Sequence, residues 1–106
     1  TVQDIFGSPR GKEMAAQLKH DMKVLKINLN KSGLCQRDPG TTNIEIDLSI
    51  HRLIDTPVGQ TPASTLRITA HDMGHATFNP VSEMVNVVQN ENPIAAFFGE
   101  PSRLTY

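Results

Sequence analysis

The residues best suited to chemistry fall together in Ala70-His71-Asp72-Met73-Gly74-His75-Ala76. On an α-helix, side chains four positions apart lie on one face, one turn from each other. His71 and His75 can therefore offer two imidazole nitrogens to a single ion, at about 2.0–2.1 Å if that ion is zinc. Two neutral imidazoles held on a rigid helix are already oriented, which lowers the entropic cost of building the site. The residue after the first histidine leans over the open side of such a metal. In H-E-x-x-H sites it is a glutamate, a general base that takes a proton from the attacking water and passes it to the leaving amine. Here the position holds Asp72.

Aspartate is one methylene shorter, so its carboxylate sits about one C–C bond length, ~1.5 Å, further back. A general base works at a heavy-atom contact of about 2.6–3.2 Å. Three outcomes are open: a closer backbone, a relaying second water, or weak activity. Gly74 costs about 1 kcal/mol relative to alanine inside a helix, so its presence predicts close approach by another element.

A catalytic zinc usually has three protein ligands. Downstream acids are Glu83, Glu91 and Glu100. A helix returning antiparallel from the turn at 78–80 would bring its far end, with Glu91, back towards the start of the histidine helix. Glu83 lies close to that turn, where only a sharply folded chain could reach the ion. Glu100, next to Pro101, reads as a loop acid. Geometry puts Glu91 ahead, with His20 and His51 as outside contenders.

These residues need elements to position them. Ser8 and Pro9 open a helix expected over 8–25, with Met14, Leu18, Met22 and Leu25 on one face. Residues 30–42 read as loop. Residues 43–50 alternate strictly: Ile44, Ile46, Leu48 and Ile50 on one side, Asn43, Glu45, Asp47 and Ser49 on the other. That pattern predicts a strand with one buried face. Residues 51–60 read as a connection. Thr61-Pro62 signals a helix from 62 to about 77, which Asn79-Pro80 stops. A further helix is expected over 81–90, and a short helix or turn over Pro93–Phe98 ended by Gly99. The order of elements defines an α+β domain.

With 106 residues, a net charge of −1 and 38% hydrophobic content, the chain supports a single domain over 1–106. A start at Thr1 fits a domain taken from the C-terminal part of a longer protein. No apolar run is long enough for a membrane span, and no signal peptide is visible. Residues 1–37 carry seven Lys/Arg against three acids, and residues 38–106 three against eight. The basic excess lies on one amphipathic segment without a Lys/Arg run, so it reads as a solvated helix face and not a nucleic-acid footprint. Cys35 has no partner for an internal disulfide and reads as a loop residue; a catalytic thiol would need a histidine brought to it by the fold.

The stretch Ala70–Ala76, together with Asn90-Glu91-Asn92-Pro93-Ile94 and the tail Gly99-Glu100-Pro101-Ser102-Arg103-Leu104-Thr105-Tyr106, resembles bacterial effector zinc metallopeptidases. These include type III effector proteases and C-terminal toxin domains of type VI spike and Rhs proteins. That family pairs an H-E-x-x-H helix with a later E-N-x-x-R-x-x-x-G-x-P-x-R-x-x-Y-like segment. The resemblance covers roughly the last 45 residues, as far as such short motifs extend.

It implies a small zincin-like α+β domain, with the strand over 43–50 at the sheet edge beside the cleft, where an extended peptide could add. It implies Zn2+ held by His71, His75 and Glu91, and Asp72 in the base position. Arg103 and Tyr106 would orient the site or stabilise an oxyanion. The activity implied is zinc metalloendopeptidase, on a protein or peptide substrate. The setting implied is a secreted toxin, delivered into a target cell within a parent secretion-system protein and met by a cognate immunity protein. Departures are Asp72 for glutamate and Ala95 where arginine is frequent. Two other readings stand beside it: a metal-binding but catalytically weak module, and a small interaction domain whose histidine pair is incidental.

Overall fold

A computed structural model of the chain describes residues 2–31, 35–37, 41–47 and 52–106. Leu48, Ser49, Ile50 and His51, which the sequence placed in a strand and beside the cleft, lie outside the described residues, as does the Asp38-Pro39-Gly40 turn.

The chain opens with α1 (Val2–Gly7) and α2 (Pro9–His20). Ser8 joins them: its Oγ accepts from Gly11 N at 3.1 Å and donates to Ile5 O at 2.5 Å. Pro9 follows at the first helical position, where its missing N–H costs nothing. Of the expected apolar stripe, Met14 and Leu18 are buried, whereas Met22 is exposed. The helix stops early because Met22 takes φ of 55° and turns the chain away.

β1 (Lys26–Leu29), β2 (Gln36–Arg37) and β3 (Asn43–Ile46) form a sheet of order β1-β3-β2. β1 pairs parallel with β3, Lys26 opposite Asn43 and Leu29 opposite Ile46, and β2 pairs antiparallel to it. The alternation in β3 is real, since Ile44 and Ile46 are buried. Its expected edge position is corrected: β3 is the central strand, and β1 and β2 are its neighbours. Asn28 and Asn30 donate side-chain amides to Glu45 at 3.2 and 3.3 Å, so this acid meets cross-strand partners.

β4 (Leu53–Thr56) and β5 (Gly59–Pro62) make an antiparallel hairpin where the sequence read a connection. Thr56 Oγ1 donates to Gly59 O at 2.7 Å, and Gly59 takes φ of 103°, which suits a residue without a side chain. Thr61 and Pro62 therefore end a strand. Ser64 is the cap of α3 (Thr65–Phe78), accepting from Arg67 N at 3.1 Å. Asn79 ends α3 in the left-handed region, with φ of 45°, a conformation asparagine tolerates.

The chain then folds back through α4 (Glu83–Asn86), a π-helical turn (Val87–Glu91) and α5 (Asn92–Phe97). The core gathers on α3: Ala70, Met73 and Ala76 pack with Ile5, Met14, Ile44, Ile46 and Ile94. The architecture is α+β. Among the described residues, no helix is long and apolar enough to cross a membrane.

Candidate metal centre

His71 and His75 lie one turn apart on α3, with ring centroids 4.9 Å apart. Both turn Nε2 towards Glu83, which contacts His71 Nε2 at 2.7 Å and His75 Nε2 at 3.0 Å. One ligand atom from each of the three residues lies within 4.8 Å of the other two. Glu83 arrives because α3 ends abruptly at Asn79, and Ser82, accepting from Val85 N at 3.1 Å, starts α4 at once. Sequence spacing ranked this acid low, and the sharp turn reverses the order of the two glutamates.

Glu91, the acid expected to complete the ligand set, sits on the opposite side of the His71 ring, with Oε1 2.9 Å from Nδ1. The physical reason is the π-helical turn, which buries the consecutive Asn90 and Glu91 completely. Glu100 is elsewhere: it accepts from Ser64 Oγ at 2.8 and 2.9 Å. His20 is exposed on α2 beside Asp21.

Asp72 is buried at 2% exposure and lines a cavity of about 50 Å³ with His71, Arg52, Cys35, Arg103 and Tyr106. Its Oδ2 has no hydrogen-bond partner among the described residues. Burial, opposed by the charge of His71 and reinforced by that of Glu83, pushes its pKa up to about 7. A carboxyl poised there can take and return a proton at neutral pH.

The tail closes one side. The Tyr106 ring stacks on His71 at 5.4 Å and 12°, and the Arg103 guanidinium lies 4.9 Å from the Tyr106 ring centre. Burial, then the charge and hydrogen bond of Glu83, raise the Tyr106 pKa above its usual value. Leu104 N donates to Asp55 O at 2.9 Å, which fastens the tail to β4.

Charges around the histidines are balanced by contact. Burial opposes a proton on His71, but hydrogen bonds to Glu91 and Glu83 outweigh it and raise the pKa. Burial likewise disfavours the charge of Glu83, and His75 and His71 overcome it, lowering that pKa.

The donor set fits a divalent cation. Two imidazole Nε2 atoms and a carboxylate lie within 4.8 Å of one another, and these are ligand types that zinc takes. Asp72, which shares a cavity with His71, carries a buried carboxyl oxygen that no described residue engages. Comparison with family models, curated proteins and solved structures finds no match to this chain.

Arg67 escaped the sequence reading. It is 1% exposed, and its Nη1 donates to Glu91 Oε2 at 2.9 Å and to Asn92 Oδ1 at 3.2 Å. Its Nη2 donates to Pro101 O. The available signal was its place four residues before His71, which puts a guanidinium on the same helix face.

Proposed function

We propose that this chain is a zinc-dependent metallopeptidase domain with a zincin-like active-site helix. The observation that carries the reading is the convergence of His71 Nε2, His75 Nε2 and the Glu83 carboxylate, with Asp72 next to His71. The ligand residues would be His71, His75 and Glu83. Zinc in such a site supplies Lewis acidity, which polarises a carbonyl and acidifies water. Asp72 accepts the proton of the attacking water and returns it to the leaving amine, a role its position directly after His71 on α3 favours. Tyr106 covers one face of His71, and Arg103 stands behind Tyr106. The likeness of the tail to bacterial effector peptidases supports a toxin domain delivered within a larger secreted protein and held in check by an immunity protein.

Elemental analysis of the purified protein tests the metal, and hydrolysis of an unfolded protein substrate with and without chelator tests the activity. One zinc per chain is expected, lost in His71→Ala, His75→Ala and Glu83→Ala, with chelator-sensitive proteolysis. Absence of stoichiometric zinc from the unsubstituted protein overturns the reading. The shorter reach of Asp72 favours a second reading, a zinc-binding domain of low activity. Asp72→Glu separates them: a large gain in rate supports the second reading, and an equal or lower rate supports the first.

A further inference from the structure

Glu91 is fully buried and meets the His71–His75–Glu83 cluster only at Nδ1 of His71, the ring nitrogen that does not face Glu83. Oε1 accepts from His71 Nδ1 at 2.9 Å and from Arg103 Nη1 at 3.2 Å, while Oε2 accepts from Arg67 Nη1 at 2.9 Å. Two guanidinium groups and an imidazole thus use both oxygens. A carboxylate already compensated by two fixed cations has little to offer a further cation, and leaving the cluster of donors for a metal would strand the buried Arg67. The Nδ1 atom it holds is the nitrogen on the other side of the ring from the one aimed at Glu83 and His75.

We infer that Glu91 is a positioning residue: it holds the proton of His71 on Nδ1 and thereby presents Nε2 to the metal without binding the metal itself. The inference rests on the metal-centre reading above. A neutral imidazole has one N–H and one lone pair, and a carboxylate at Nδ1 selects the tautomer whose lone pair is on Nε2. The geometry that fixes Glu91 is itself over-determined. Asn92 Oδ1 accepts from Arg103 N at 2.8 Å and Asn92 Nδ2 donates to Arg103 O at 3.0 Å, so the tail that brings Arg103 is tied to the residue next to Glu91. On the other side, Asn90 Oδ1 accepts from Arg10 Nε at 2.8 Å. The sequence motif Glu91-Asn92 followed by Arg103 is therefore a supporting frame for one histidine ring.

The test compares zinc affinity, by competition with a chelating dye, and the cobalt(II) absorption spectrum in the unsubstituted protein, Glu91→Gln and Glu83→Gln. Glu91→Gln is expected to weaken zinc by about 10–100-fold and to leave the cobalt band positions and intensities unchanged. Glu83→Gln is expected to change the bands, because it alters the ligand set. Nitrogen-15 spectra of the histidine rings in the zinc-loaded unsubstituted protein are expected to show His71 protonated at Nδ1 and metallated at Nε2. A Glu91→Gln cobalt spectrum altered in the manner of Glu83→Gln, an unchanged zinc affinity, or metallation of His71 at Nδ1 overturns the inference. The ring spectra need no variant, so a Glu91→Gln protein that does not fold leaves the test intact. Failure of the unsubstituted protein to bind either metal sinks the metallopeptidase reading and this inference with it, whereas the three outcomes above, seen in a protein that binds zinc, overturn this inference alone.

Discussion

Gly74 faces the side chain of Asn86 so closely that a methyl group on its α-carbon would sit 2.1 Å from Asn86 Oδ1. The same amide donates from Nδ2 to His71 O at 2.8 Å and accepts from Asn90 Nδ2 at 2.7 Å. The missing side chain thus lets a polar ladder, on the segment that also carries Glu83, dock against the turn that carries His71. Gly74→Ala forces that segment outward. It is expected to destabilise the protein by about 1–3 kcal/mol, as overpacked interiors do, and to weaken zinc binding with it. Urea unfolding and chelator competition measure the two effects, and an unchanged value of either counts against this account.

Asp72 makes a pH-dependent contribution of unusual sign for an acid. Its folded-state pKa is about 7, against 3.8 as the ordinary value. Between those two values the native state holds the proton more tightly than the unfolded chain, so stability falls as pH rises through the interval and levels off above the folded pKa. Asp72→Asn removes that slope. The metal-free variant is expected to gain stability over the unsubstituted protein at about pH 8, by on the order of 2 kcal/mol or more given ~1.4 kcal/mol per pKa unit. At about pH 4 the gain should nearly vanish. Urea unfolding at both pH values is the check, and an equal difference at both contradicts a buried, destabilised carboxyl.

The same substitution separates proton transfer from metal binding. The amide that Asp72→Asn introduces keeps the shape of the carboxyl but cannot accept a proton. If the carboxylate serves the hydrolytic step, Asp72→Asn retains one zinc per chain and loses activity by about 100-fold or more, the usual worth of a positioned general base. Zinc content and hydrolysis rate measured on one preparation decide it. A variant as active as the unsubstituted protein removes Asp72 from the mechanism.

The histidine pair was readable from the sequence because four-residue spacing fixes a helix face whatever surrounds it. Gly74 was readable for the same reason, since only close approach explains a glycine there. The end of α3 at Asn79 followed from the proline after it. The rank of the acids was not readable. Whether Glu83 or Glu91 reaches the Nε2 side depends on the left-handed φ at Asn79 and on the π-helical turn over Val87–Glu91, and neither leaves a periodic signal. The β4–β5 hairpin was missed because Pro57 and Pro62 disguise two four-residue strands as loop. The central place of β3 was missed because its neighbours, at 26–29 and 36–37, are too short to show alternation.

Tyr106 gives a direct optical view of how the tail is held, since the chain has one tyrosine and no tryptophan. Its ring stacks on His71, and it reaches that position through Arg103, whose backbone is tied at both N and O to Asn92. Asn92→Ala removes both of those bonds and the one from Arg67 to Asn92 Oδ1. At about 1 kcal/mol for each bond, their combined loss loosens the tail between α5 and its Leu104–Asp55 tie to β4, while the core on α3 stays packed. Tyrosine emission is expected to rise and its anisotropy to fall in Asn92→Ala, because the ring leaves its stacked partner and the Glu83 carboxylate. The far-ultraviolet circular dichroism should stay close to that of the unsubstituted protein. Unchanged emission and anisotropy in a folded Asn92→Ala variant would show that Tyr106 is held on His71 by something other than the Asn92–Arg103 tie.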